Sequence, residues 1–265
     1  MAELTSRGAR LIFDDLGEGE PAFLCMPGWC EPRTVFRRVA PLLAAGNRVI
    51  VLDWPGQGES ESFRKDFTAA DWVEDALAVV EQCGANHIVP VAISHAGRVA
   101  IELRRRLGAR VVKLVLSDWN FILDPPPAYR RALEAFRHRD QWSDALEGLF
   151  TTWIADSENQ ELIDHVRGEM AAHGFEDWSR ALREIGAAYD TYGNPLTHLA
   201  SLDPPVPAIH LYTQPRTKEY ADGQESFARE HPWFRPHLMA AESHFPTIEA
   251  PEETVAAIRD FIERD

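Results

Sequence analysis

Apolar and polar positions along this chain follow two rhythms. Short apolar runs bounded by glycine, proline or charge read as strands: Leu11-Ile12-Phe13 running into the turn Asp14–Gly19, Pro21–Met26, Arg48–Asp53, Ile88-Val89-Pro90-Val91, Val111–Ser117, Ala208–Tyr212, and one more around His237–Ala240. Helical spacing fills the gaps at Thr34–Leu43, Thr68–Gln82, Arg98–Leu107 and Glu252–Glu263. In the second of these, Ala70, Val73, Ala76, Leu77 and Val80 form one stripe, and Thr68 with Asp71 three residues on makes a capping arrangement. Strands alternating with helices predict an α/β protein with a mainly parallel sheet flanked by helices.

The alternation stops after Asp118. Asp124-Pro125-Pro126-Pro127 punctuates the chain, and four segments with helical spacing follow, Tyr129–Arg137, Trp142–Ile154, Gln160–Ala172 and Glu176–Tyr189, with no strand pattern between them. This predicts a core made of residues 1–120 and 197–265 with a helical lid inserted at 121–196. There is no internal repeat and no low-complexity segment.

Composition narrows the classes. With 265 residues, 45% of them apolar, the chain can bury a large core, yet no apolar run approaches the length of a membrane span. A net charge of −15 argues against nucleic acid or an anionic membrane as partner. Three cysteines, Cys25, Cys30 and Cys83, are too few and too scattered for a disulfide framework or a metal cluster, and Met1-Ala2-Glu3-Leu4 lacks the basic-then-apolar pattern of a signal peptide. A reduced, cytoplasmic setting is the expectation.

Candidate chemistry sits at strand ends, where pockets of open parallel sheets form. Ser94, in Ala92-Ile93-Ser94-His95-Ala96-Gly97, follows a strand and precedes a helix, flanked by small residues at −2 and +2. That is a nucleophile elbow, and Ser94…Asp118…His244 is the chain order of an α/β-hydrolase fold. Many such folds carry their acid after the strand that follows the lid. Here that segment is Leu211–Arg216, without a carboxylate, so Asp118 is the substitute, although it could equally cap its own turn; Asp203 reads as a turn residue. The His95 backbone N–H should point into an oxyanion-type site, whereas its side chain could be packed or functional. The stretch Asp53–Ser60 reads as a structural turn, and Cys30, with no elbow around it, as a buried neutral thiol. Trp153 and Trp178 lie on the lid and suit an apolar pocket for a flat heteroaromatic ligand.

Taken together, Gly28-Trp29-Cys30, Ser94-His95, Ser117-Asp118-Trp119, Trp153 with Glu169-Met170, Trp178 with Arg183-Glu184-Ile185, Tyr212–Pro215, Trp233-Phe234 and His244-Phe245-Pro246 resemble the cofactor-free 2,4-dioxygenases of 3-hydroxy-4-oxoquinolines, a branch of the α/β-hydrolase superfamily. The resemblance runs from about residue 22 to the C-terminus. It implies that His244, balanced by Asp118, takes the 3-hydroxyl proton of a quinolone, and that the anion reacts directly with O2, with no cofactor and no metal. Carbon monoxide and an N-acylanthranilate would result. It further implies that Ser94 hydrogen-bonds the substrate rather than attacking it. The N–H groups of Trp29 and His95 would stabilise negative oxygen, while Cys30, Trp153 and Trp178 would line the substrate site. The loop after Cys30 reads Glu31-Pro32-Arg33, where relatives often place a histidine; Ala96 stands where glycine is common, and Arg98 where relatives can have tryptophan. These departures fit the subgroup acting on 2-alkyl-3-hydroxy-4-quinolones, including the heptyl-bearing Pseudomonas quinolone signal. Leu146, Leu149, Phe150, Ile154 and Met170 are the expected slot for the tail. The implied partners are the quinolone and O2, with no nucleic acid or membrane, and a monomer or weak homodimer. A serine esterase or lactonase is the rival reading, and a non-catalytic ligand receptor on the same fold is another.

Overall fold

The structure is a computed structural model describing residues 1–62 and 66–264. Eight strands form one sheet: β1 (Ala2–Ser6), β2 (Ala9–Leu16), β3 (Ala22–Met26), β4 (Val49–Leu52), β5 (Ile88–Ile93), β6 (Leu114–Ser117), β7 (Ala208–Tyr212) and β8 (Phe234–Leu238). Their order is β1-β2-β4-β3-β5-β6-β7-β8; β1 and β2 pair antiparallel, β2 pairs antiparallel with β4, and all later pairs are parallel. Every residue of β3 to β7 is buried, as a sheet covered on both faces requires.

The helices are α1 (Val39–Ala44), α2 (Ala69–Cys83), α3 (Ala96–Leu107), α4 (Pro127–Ala135), α5 (Trp142–Ile154), α6 (Gln160–Asp164), α7 (Phe175–Tyr192), α8 (Pro195–Ala200), α9 (Lys218–Glu230), α10 (Pro246–Glu249) and α11 (Pro251–Glu263). α1 packs on α11, and α2 on α3. No helix among the described residues is long and apolar enough to cross a membrane. The capping arrangement at Thr68 is present, its N–H donating to Asp71 Oδ2 at 2.7 Å. No strand interrupts the chain between β6 and β7, where α4 to α8 lie.

Several elements differ from the sequence reading. The last strand lies earlier than His237–Ala240, at Phe234–Leu238. Pro236 masks it, because proline is tolerated in a strand only where its missing N–H is not needed, and β8 is the sheet edge. The segment Val111–Ser117 yields a strand only from Leu114, with Val111 making an isolated bridge to Ile88. β1 went unread; it forms a hairpin with β2 through Arg7 and Gly8, at φ 47° and 86°. The helix α9 also went unread, since it buries only Tyr220 and Gln224 and leaves little apolar stripe. Gln160–Ala172 is not one helix: α6 passes into a π turn at His165–Glu169 and a 3₁₀ turn at Met170–Ala172.

The Asp53–Ser60 turn is built around a charge. Asp53 is fully buried and pairs with the guanidinium of Arg33, which also reaches Asp14 at 3.0 Å and Glu59 at 2.5 Å. A Cβ on Gly58, at φ 54°, would lie 2.3 Å from the Asp53 carboxylate, so only glycine fits. Replacing one partner of a buried pair strands the other. Arg33→Met is therefore expected to cost ~3 kcal/mol, read as a lowered urea midpoint at unchanged m-value.

Candidate active site

Parallel register brings four chain segments to one edge of the sheet. Ile93 pairs with Ser117 and Ser117 with Leu211, so the residues that follow, Ser94, Asp118 and Tyr212-Thr213, emerge side by side, with Gly28-Trp29 beyond β3. Ser94 and Asp118 both adopt left-handed backbone, at φ 51° and 41°. Such strain in non-glycine residues persists where surrounding contacts over-determine it. Ser94 N–H donates to Ser117 O at 2.8 Å, and Asp118 N–H to Leu211 O at 2.6 Å. Gly97, in the first turn of α3, has no room for a side chain: a Cβ there would stand 2.2 Å from the Trp119 ring.

Asp118 reaches His244. Its Oδ2 lies 2.8 Å from His244 Nδ1, and its Oδ1 accepts from Thr213 N–H at 2.8 Å and Gln214 N–H at 3.3 Å. Thr213 Oγ1 is 2.8 Å from Asp118 Oδ2 and 2.6 Å from Ser243 O, so its one proton is shared between two acceptors. The segment after β7, which lacks a carboxylate, thus supplies donors to the carboxylate of β6. Asn120 Oδ1 is a second acceptor for His244 Nδ1, at 3.0 Å. Nδ1 faces acceptors only, so it carries the proton, and Nε2 is left with its lone pair and no protein partner among the described residues. The imidazole stacks on Trp153, with centroids 5.1 Å apart and planes 17° apart, and the backbone N–H of His244 donates to Trp153 O at 2.8 Å.

These groups line a cavity of about 440 Å³. Trp29, Ser94, His95, Trp153, Trp178 and His244 all contribute to its wall. Trp29 is held by a stack in which it lies 3.8 Å from Trp72, itself 4.3 Å from Trp54. The N–H groups of Trp29 and His95 have no protein acceptor among the described residues. Ser94 Oγ likewise makes no hydrogen bond to His244 or to any other described residue. The His95 ring touches the Tyr129 hydroxyl at 3.3 Å and packs edge-on to Trp119 and Tyr189. Burial, with Arg98 and His244 nearby, pushes its pKa well below the usual imidazole value, so it is neutral.

Two expectations do not match this geometry. Cys30 is absent from the cavity wall. Its backbone turns through φ 54°, and the residue lies behind Trp29 in a small space shared with Pro55, Phe67 and Asp177. Burial holds its thiol pKa well above the ordinary value. Of the expected tail slot, only Leu149 and Met170 face the cavity. Leu146 and Phe150 line a separate shallow pocket, and Ile154 lines neither. The reason is helical phase: Ala145, Gly148, Leu149 and Thr152 make the cavity stripe of α5, and Leu146 and Phe150 sit one residue around the helix.

Sequence reasoning missed Asn120, Tyr129, Thr213 and His210. His210, buried and with its pKa pushed down to about 4 by burial, accepts from Trp119 N–H at 3.0 Å, while Nδ1 donates to Gln224 Oε1 at 2.6 Å. It clamps the peptide just after Asp118. Only Asn120 and Thr213 carried a signal, as polar residues at strand ends. No group of three or more His, Cys, Asp or Glu among the described residues is arranged to hold a metal ion.

The fold and site define the class. The alpha/beta hydrolase family matches residues 23–258, and the chain belongs to it. Within that class, the chain is 32% identical over 260 residues to a 2-heptyl-3-hydroxy-4(1H)-quinolone dioxygenase of Mycobacteroides abscessus, covering 97% of this chain and 96% of the relative. It is 32% identical over 265 residues to a 1H-3-hydroxy-4-oxoquinoline 2,4-dioxygenase of Pseudomonas putida, covering 99% and 100%. The product complex of AqdC, which cleaves the ring of the Pseudomonas quinolone signal, superposes with a TM-score of 0.94 at 31% identity over the full length of both chains. The chain is a member of the 3-hydroxy-4-quinolone 2,4-dioxygenase family.

Thr213 tests the support of the acid. Thr213→Val leaves buried acceptors short of a donor, for an expected loss of ~1–3 kcal/mol, read by urea unfolding.

Proposed function

We propose that this protein is a cofactor-independent 2,4-dioxygenase that cleaves 2-alkyl-3-hydroxy-4(1H)-quinolones with O2, quenching a quinolone signal. His244 Nε2 accepts the 3-hydroxyl proton, and the buried Asp118 carboxylate, 2.8 Å from Nδ1, balances the imidazolium that forms. The substrate anion supplies the electrons. O2 adds at C2, the terminal peroxide oxygen closes on C4, and the O–O, C2–C3 and C3–C4 bonds break. C3 leaves with its oxygen as carbon monoxide. C2 becomes the amide carbonyl of an N-acylanthranilate and C4 its carboxylate, and the proton on His244 leaves after the product. Free N–H groups at Trp29 and His95 are donors for negative oxygen as it develops. Ser94 hydrogen-bonds the substrate, and Trp153 and Trp178 flank the aromatic ring.

The 2-alkyl tail is assigned to the apolar end of the cavity, between Pro126 and Ala128, the stripe Ala145, Gly148 and Leu149 of α5, and Leu182 and Ile185 of α7. The helices within residues 121–196 act as the lid. The partners are the quinolone and O2, and the protein works in the cytoplasm as a monomer or weak homodimer.

One observation carries the reading. A base with a free Nε2 faces an apolar cavity, while the elbow serine makes no hydrogen bond to it. In a serine hydrolase that hydrogen bond activates the nucleophile in the substrate complex. Solved structures of hydrolases such as an acyl-homoserine-lactone-degrading enzyme share the fold at 19% identity, which speaks to fold alone.

The reading is checked by metal-chelated turnover of 2-heptyl-3-hydroxy-4-quinolone with and without air. His244→Ala should lose ~10²–10⁴-fold in kcat, whereas Ser94→Ala should lose roughly tenfold or less, the worth of one neutral hydrogen bond. Stoichiometric carbon monoxide should accompany O2 uptake. An acyl adduct on Ser94, or equal turnover without O2, would overturn the proposal.

A further inference from the structure

Beside the His244–Asp118 pair lies a second buried titratable chain that the reaction above does not use. Glu31 lines the cavity and is fully buried. Its Oε2 accepts from Gly28 N–H at 2.5 Å, and its Oε1 lies 3.4 Å from His165 Nε2. On the other side of the imidazole, His165 Nδ1 is 2.5 Å from Glu169 Oε2. That carboxylate also accepts from Thr34 Oγ1 at 2.8 Å, and its Oε1 lies 3.5 Å from Arg37. Arg37 in turn pairs with Glu161, which is shared with Arg38. The edge of Phe245 closes the remaining side of His165. His165 and Glu169 are the ends of the π turn, a helix irregularity that recurs at functional sites.

Both ring nitrogens of His165 therefore face carboxylate oxygens, which only accept. A neutral imidazole could satisfy one of them; the imidazolium satisfies both. Burial opposes that charge, yet the hydrogen bonds to Glu169 and Glu31 outweigh it and raise the imidazole pKa above its ordinary value. A bare carboxylate on the wall of a cavity where an organic anion must form would work against that anion. The same carboxylate fixes the Gly28 peptide, next to the free N–H of Trp29.

Resting on the dioxygenase reading, we propose that His165, held as an imidazolium between Glu31 and Glu169, is a positioning residue that neutralises Glu31 and so permits the substrate anion to form beside it.

Two measurements test this on the full chain. In the free protein at pH 8, ¹⁵N-resolved imidazole spectra should show both ring N–H groups of His165, assigned by their loss in His165→Gln. A neutral ring at that pH overturns the proposal, whatever the substrate is. Second, 2-heptyl-3-hydroxy-4-quinolone is bound anaerobically and its ionisation followed by absorbance against pH. In His165→Gln the unbalanced Glu31 disfavours the anion, so the midpoint should rise by about one pH unit, a tenfold smaller anion fraction on the acidic side. The double variant His165→Gln with Glu31→Gln should return the midpoint to that of the parent. A merely structural role would lower the melting temperature and leave the midpoint where it was, and that outcome overturns the proposal. Failure of the parent protein to bind the quinolone as its anion would instead sink the dioxygenase reading, with the ring spectra still deciding the charge of His165.

Discussion

The hydrogen bond between Asp118 and His244 ties together residues 126 positions apart in the chain, and most of the site's architecture exists to make it possible. A fully buried carboxylate is costly unless donors surround it. Here the backbone N–H groups of Thr213 and Gln214, the Thr213 hydroxyl and the His244 ring supply them. The left-handed turn at Asp118 aims the side chain at those donors. His210 and Tyr220 hold that turn in place, the first accepting from Trp119 N–H and the second donating to Trp119 O at 3.1 Å. With Nδ1 committed to acceptors, the tautomer of the His244 imidazole is set by the fold, and Nε2 faces the cavity.

Around this polar core the wall is aromatic and largely apolar, which keeps water from competing with a bound anion. Arg98 shows how far the fold goes to accommodate charge near it. Its side chain is buried, and two of its nitrogens lack partners in the described structure. It lies 5.4 Å over the Trp119 ring, 5.5 Å over Tyr189 and 5.8 Å over Tyr192, donates to Gly193 O at 2.7 Å, and has its pKa lowered by burial to about 10. Ring faces stand in for anions. Burial and the field of this cation together keep His95, the second imidazole on the cavity wall, neutral.

The helices between β6 and β7 divide their labour by helical phase. On α5, one stripe faces the cavity and the neighbouring stripe packs against α7, where Phe150 meets Trp178 edge-on at 5.8 Å. The same apolar character serves both stripes, so composition alone could not tell a cavity-lining residue from a packing one. Leu149 and Leu146 are chemically alike and differ only in where the helix turns them. Glu31 makes the converse point: as a sequence position it was a departure from the family pattern, and only its partners in space, His165 and Glu169, give it a role.

Periodicity and punctuation by themselves determined the α/β class, the run of helices between β6 and β7 and the strand ends at which the candidate residues gather, because apolar spacing reports which face each element must bury. The candidate positions Ser94, Asp118 and His244 were legible for the same reason: each sits beside a strand end or helix start marked by its neighbours. Tertiary structure alone decided what those residues do to one another. It placed Thr213 under Asp118, freed Nε2 of His244, turned Cys30 behind Trp29 and bent the chain through a π turn at His165. Contacts of this kind join segments tens of residues apart, and no local pattern of side chains encodes a distance across the sheet.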